Sequence, residues 1–169
     1  MTEPQNPSED WALIERSLYL TQGFSSWPKA AIQQLASRSC LGRYSRGELI
    51  ATEAGPGEIL AIISGYVVLG LTPPTTGLRS VIALLGPGYV LGFTRAPDEF
   101  DSQEYSVYDY RALDEALVVH MPATQVLTVL DNEPGLWRDM AKLLLRQYRL
   151  VFESLLSQGQ GSFQRRLAA

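Results

Sequence analysis

The chain has 169 residues, 46% of them apolar, a net charge of −4, one cysteine and one histidine. That is enough apolar material for a core, so one globular domain with an appendage is expected and global disorder is excluded. A single cysteine excludes an internal disulfide or an iron–sulfur cluster, and the acidic balance with scattered Lys and Arg argues against direct binding of nucleic acid, whose affinity comes from neutralising phosphates.

No run approaches the ~18 apolar residues of a membrane span. Met1-Thr2-Glu3-Pro4 lacks the basic and apolar segments of a secretory signal, so a cytoplasmic location is expected. Residues 1–7 read as a flexible leader. Ser8 can cap a helix over about Glu9–Tyr19, with Trp11, Ile14 and Leu18 on one face at helical spacing. Gly23 ends it, and Ser26-Trp27-Pro28 opens a second helix that turns Ile32, Leu35 and Ala36 inward.

From Leu41 the grain changes to short β-rich runs between recurrent glycines: Leu49–Ala51, Ile59–Ile63, Tyr66–Leu71, Ser80–Leu85 and Tyr89–Leu91, then Tyr105–Leu113 and Ala116–Met121. This rhythm predicts an all-β sandwich, roll or barrel. Ser64-Gly65 reads as a tight hairpin turn and Pro73–Gly77 as a longer hairpin loop.

Pro122 starts a short helix through Leu130, and the turn Asp131–Gly135 opens a long one over about Leu136–Ser157. The long helix carries two apolar stripes. Trp137, Ala141, Leu144, Tyr148, Val151 and Leu155 recur in steps of four and three, the seam of a coiled coil. Leu136, Met140, Leu143 and Leu150 form the other. One stripe is expected to cover the β layer and the other to meet a second copy, giving a homodimer, the alternative being one wide stripe on a single core with no dimer. Gly159 and Gly161 read as a hinge, and Phe163–Ala169 as the start of a further helix.

The ordered set Tyr44–Gly55, Leu60–Leu69 and Leu85–Gly92 resembles the opening strands and glycine turns of the effector domain of Crp/Fnr-type, cyclic-nucleotide-binding transcription regulators. The resemblance implies a mainly β fold, a double-stranded β-helix or jelly-roll-like β-roll with flanking helices and a long C-terminal dimerisation helix. It divides the chain into a roll domain with N-terminal helices (8–131), the dimerisation helix (132–158), and a hinge with the entry to a helix-turn-helix domain absent from this chain (159–169). DNA would be reached only through that absent domain, and no enzymatic activity and no membrane contact are implied.

The resemblance also locates the ligand pocket, at Gly92, Phe93, Thr94, Arg95, Ser106 and Val107. In ligand-binding relatives a Glu follows the glycine and holds the ribose, and an Arg further along pairs with the phosphate. Here Phe93 and Ser106 stand at those places. Losing a buried charged partner costs roughly 2–5 kcal/mol, so cyclic AMP is not expected as the effector. Arg95 and Arg111 are the nearby substitutes, read as a solvated loop charge and a strand charge, and Asp98, Glu99, Asp101 and Glu104 make the loop hostile to an anion.

The residues name no other cofactor. A haem sensor would have only His120 and Cys40 as axial ligands, and an aromatic effector would meet Tyr105, Tyr108 and Tyr110, which read as strand packing. A metal-dependent barrel enzyme needs several His, whereas His120 between Val119 and Met121 reads as structural. A hydrolase elbow GxSxG is missing. A roll that has lost its ligand and serves only to pair remains the alternative.

Overall fold

The computed structural model describes the backbone of residues 7–52, 57–73, 75–93 and 107–167. Two helices, α1 (Pro7–Leu20) and α2 (Lys29–Ala36), precede eight described strands. These are β1 (Cys40–Tyr44), β2 (Leu49–Thr52), β3 (Glu58–Ser64), β4 (Val67–Thr72), β5 (Ser80–Leu85), β6 (Val90–Leu91), β7 (Val107–Ala112) and β8 (Ala116–Pro122). α3 (Ala123–Asn132) and α4 (Pro134–Leu167) follow. The strands make two four-stranded sheets, ordered β1-β8-β3-β6 and β2-β7-β4-β5. Every pairing is antiparallel, and the chain crosses repeatedly between the two sheets, only β4 and β5 being consecutive in one of them, as in a β-roll.

Strand alternation explains the two cores. Ile59 and Ala61 of β3 and Val119 and Met121 of β8 point to one side, where they meet Ile14, Leu18, Ile32, Leu35, Val126, Leu130 and Met140 from the four helices and Phe24 from the turn between α1 and α2. Leu60, Ile62, Ala116 and Val118 point the other way, into the roll, against Ile50, Val67, Leu85 and Tyr110. Both faces of the first sheet are covered, so β3 reads as a continuous apolar run.

Several elements depart from the sequence reading. The strand β1 lies where no strand is predicted; it is an edge strand on β8, from Cys40 opposite His120 to Tyr44 opposite Ala116. Ser64-Gly65 is not a hairpin turn: β3 and β4 belong to different sheets, and the turn is a corner that carries the chain from one layer to the other. Gly65 has φ 76, and a Cβ there would overlap the Glu115 carbonyl oxygen. Pro73–Gly77 does join neighbours, β4 and β5. On α1, Ile14 and Leu18 are buried as expected, while Trp11 stays at the exposed edge.

α4 follows α3 after the single residue Glu133 and runs unbroken through Gly159 and Gly161 to Leu167, where a hinge and a new helix are expected. A glycine costs about 1 kcal/mol relative to alanine inside a helix, which a long, already nucleated helix absorbs. The backbone therefore has no break at 159–162. Among the described residues no helix is long and apolar enough to cross a membrane.

Candidate functional site

The expected pocket begins where β6 ends. Gly92 has φ 93, and a Cβ at this position would overlap the Glu58 carbonyl oxygen, so the backbone lies directly on the start of β3. Phe93 turns outward and packs, half-buried, against the helical core, whereas its neighbour Leu91 packs into the roll. The structure thus places Phe93 on the helix side of the sheet. Thr94, Arg95 and Ser106, with Asp98, Glu99, Asp101, Glu104 and Tyr105, lie outside the described residues. Val107 opens β7 opposite Thr72, its side chain likewise outside the description.

The roll interior is apolar. Tyr110 is buried in it, with Leu69, Ile82 and Leu91 partly buried alongside, while Tyr108 is exposed. Its one buried titratable cluster among the described residues crosses three strands. The Tyr44 hydroxyl lies 2.7 Å from His120 Nε2, and His120 Nδ1 lies 2.9 Å from the Glu58 carboxylate. A carboxylate partner sets Nδ1 as the donor, leaving Nε2 to accept from the tyrosine. Both ring nitrogens are satisfied, which gives His120 a structural role. Burial, then the Glu58 charge, push the Cys40 thiol up, so it is a poor nucleophile. No group of three or more His, Cys, Asp or Glu among the described residues is placed to hold a metal ion.

On the outer face of the second sheet, Arg79 reaches back over β4 to Asp109. Its Nε and Nη2 both donate at 2.7 Å, and Arg111 Nε adds a third contact at 3.4 Å. Gly70 faces Asp109 in register, and a side chain there would overlap the Arg79 guanidinium. Arg111 is therefore committed to Asp109 and to the Gly47 carbonyl on the outside of the roll. The hydrogen bond from Arg79 holds the Asp109 carboxyl below the usual carboxylate range.

A depressed folded pKa stabilises above the ordinary carboxylate value, and that contribution is lost as pH falls through it toward the folded value. Asp109→Asn should cost about 1–3 kcal/mol at neutral pH in urea unfolding, and the gap should close as the pH is lowered below about 4. A gap independent of pH would remove the ion pair as its cause.

α4 meets the body of the protein along Leu136, Met140 and Leu143, all buried. One turn on, the Gln147 side-chain amide clamps β6: its nitrogen donates to the Val90 carbonyl at 2.9 Å and its oxygen accepts from the Val90 N–H at 2.8 Å. Gln147 thus pairs the edge of β6 that β3 leaves open, immediately before the Gly92 corner.

Another face of the helix carries large apolar side chains that are exposed. Trp137 is 39% exposed, Leu145 and Tyr148 68%, Phe152 48% and Leu156 51%. Tyr148 and Phe152 stack, with ring centroids 6.1 Å apart. The outward stripe is Trp137, Ala141, Leu145, Tyr148, Phe152 and Leu156. It shares Trp137, Ala141 and Tyr148 with the expected seam but takes Leu145 and Phe152 in place of Leu144 and Val151, because Leu144 packs partly on the helical core and Val151 partly on the roll core. The side chain of Leu155 lies outside the description.

No family model matches the sequence, and no curated protein matches it significantly. Solved structures do. The chain is similar to the sensor domain of the transcriptional regulator DNR from Pseudomonas aeruginosa, at 17% identity over 86% of this chain and 95% of that one, TM-score 0.65. It is similar to a cyclic nucleotide-binding domain from Methylobacillus flagellatus KT, at 19% identity over 89% and 84%, TM-score 0.63. It is also similar to the catabolite activator protein of Thermus thermophilus, at 21% identity and TM-score 0.57, where it covers 84% of its own length but 63% of that chain. At such identities the likeness establishes the fold: a β-roll of the cyclic-nucleotide-binding type with flanking helices and a C-terminal helix. These neighbours are regulatory and sensor domains of the Crp/Fnr type.

Proposed function

We propose that the chain is the effector-sensing and self-pairing part of a Crp/Fnr-type transcription regulator, working in the cytoplasm and touching DNA only through a separate domain. The observation that carries this reading is α4. One face is docked on the protein's own core through Leu136, Met140 and Leu143, and another presents five large apolar side chains to solvent. Burying a Leu- or Phe-sized side chain contributes about 1.5–3 kcal/mol, so such a stripe favours a second copy of itself. The regulatory neighbours support the same assignment. The net charge of −4 fits a chain that leaves phosphate contacts to another domain.

The roll keeps the frame of a nucleotide site but not its charges. The backbone at Gly92-Phe93 would form the pocket rim with Thr94, Arg95, Ser106 and Val107. Phe93 offers no carboxylate for a ribose and packs on the helices instead. Cyclic AMP should bind this chain only weakly, and calorimetric binding at micromolar concentration would overturn that part of the reading. A second reading, a pairing module with no ligand in the roll, is favoured by the apolar side chains, Tyr110 among them, that pack the roll interior. A sensor gains thermal stability with its effector in proportion to ln(1 + [L]/Kd); a pairing module does not.

Sedimentation equilibrium tests the pairing. The chain should sediment as a dimer, and Tyr148→Glu/Phe152→Glu should sediment as a monomer with its circular dichroism intact. A wild-type chain that remains monomeric at high micromolar concentration would sink the proposal.

A further inference from the structure

A cleft of about 340 Å³ opens outside the roll, between the end of α1, the turn before β6, and α4. Its size falls at the lower end of small-molecule sites, ~300–1,000 Å³. Leu20, Ile63, Leu143 and Leu150 give it apolar walls, and Arg146 and Gln147 stand at its α4 side. Arg146 is the only charged residue among its described lining residues. The guanidinium donates to the neutral amide oxygen of Gln22 and has no carboxylate partner among the described residues. Asp139 lines an adjoining hollow that Arg146 also borders, and its carboxylate is taken by Ser26 and Lys142. A trough with apolar walls, the small polar Ser17 and Thr21 at its α1 end, and a single cation held by a neutral, exchangeable acceptor suits an anion with an apolar body.

We propose that this cleft is a ligand site for small amphiphilic carboxylates, with the apolar body between α1 and α4 and the carboxylate on Arg146 in place of Gln22. The site is separate from the nucleotide pocket of the fold, on the helix side of the first sheet, and it lies beside the Gln147–Val90 clamp. An occupant would brace α4 against both α1 and the turn that feeds β6. Self-pairing leaves it open: Arg146 and Tyr148 leave α4 about 200° apart around its axis. The site lies within one protomer, so it stands or falls separately from the pairing reading.

The test is titration of the full isotope-labelled chain with octanoate and with 1-octanol, followed by amide resonances. Octanoate should shift the amides of residues 62–63, 88–89 and 146–150, and bind about tenfold more tightly than 1-octanol, the gain of one charge-assisted contact. Arg146→Gln should erase that preference while leaving 1-octanol binding unchanged. Gln22→Ala, which frees Arg146 of its competitor, should strengthen octanoate binding. The monomeric Tyr148→Glu/Phe152→Glu chain should bind as the wild type does. Equal binding of acid and alcohol, shifts confined to β4, β5 and β7, or no shift up to the solubility limit would each overturn the assignment.

Discussion

Gly65→Ala should lower the unfolding free energy by about 2–5 kcal/mol, while Gly77→Ala should cost no more than about 2 kcal/mol. Both glycines hold positive φ, 76 and 65, so the backbone strain of adding a Cβ is alike. The surroundings differ. At Gly77 nothing lies within 4 Å of the new atom, whereas at Gly65 it overlaps the Glu115 carbonyl oxygen and comes within 2.8 Å of Ala116 Cα. That backbone cannot yield cheaply. It is the connection between β7 and β8, tied to the corner by Leu113 N–H donating to the Tyr66 carbonyl at 2.8 Å and by Tyr66 N–H donating to Asp114 at 2.6 Å. Urea unfolding of the two variants measures the difference. Equal losses would show that the corner relaxes, and that Gly65 is required only for its φ.

The same corner shows where sequence reading stops. Two apolar runs flanking Ser-Gly carry the local signature of a hairpin, and only the pairing of β3 with β8 and of β4 with β5 reveals a change of layer. Short β-rich apolar runs and glycine spacing give the strands from β2 to β8, and with them the roll, because burial on one or both faces writes itself into the residues. β1 escapes since Cys-Leu-Gly-Arg-Tyr has no such alternation and is held as a strand by its partner β8. The Arg79–Asp109 pair joins residues 30 apart and leaves a single trace, a glycine in the middle of β4, which marks a close approach. Gln147 leaves a trace too: it is the polar interruption in the stripe Leu136, Met140, Leu143, Leu150. The candidate site was the least legible part. The residue type at 93 is plain in the sequence, but the side to which Phe93 turns depends on the phase of β6, a strand of two residues.

Met140→Ala should destabilise the monomeric chain by about 2–5 kcal/mol, and Leu145→Ala in the same background should fall within about 0.5 kcal/mol of neutral. Met140 is fully buried among residues of the helical core, so its loss removes apolar contact and leaves a cavity in that core. Leu145, only five residues on, stands 68% exposed. On the proposed pairing the order of effects changes: Leu145→Ala should weaken association measurably, because its side chain would then be buried by the second copy. Comparing urea unfolding in the Tyr148→Glu/Phe152→Glu background with sedimentation in the wild-type background separates the two faces of one helix. A loss above about 2 kcal/mol for Leu145→Ala in the monomer would mean that the outward stripe packs on its own domain, and the pairing reading would fall. The contrast matters because the described side chains past Val151 — Phe152, Glu153 and Leu156 — are all exposed. The end of α4 therefore takes its direction from what the first half docks on, from Val151 on the roll core and from the Gln147 bond to β6, so, on the proposed pairing, a movement at the Gly92 corner would alter the angle at which two such helices meet.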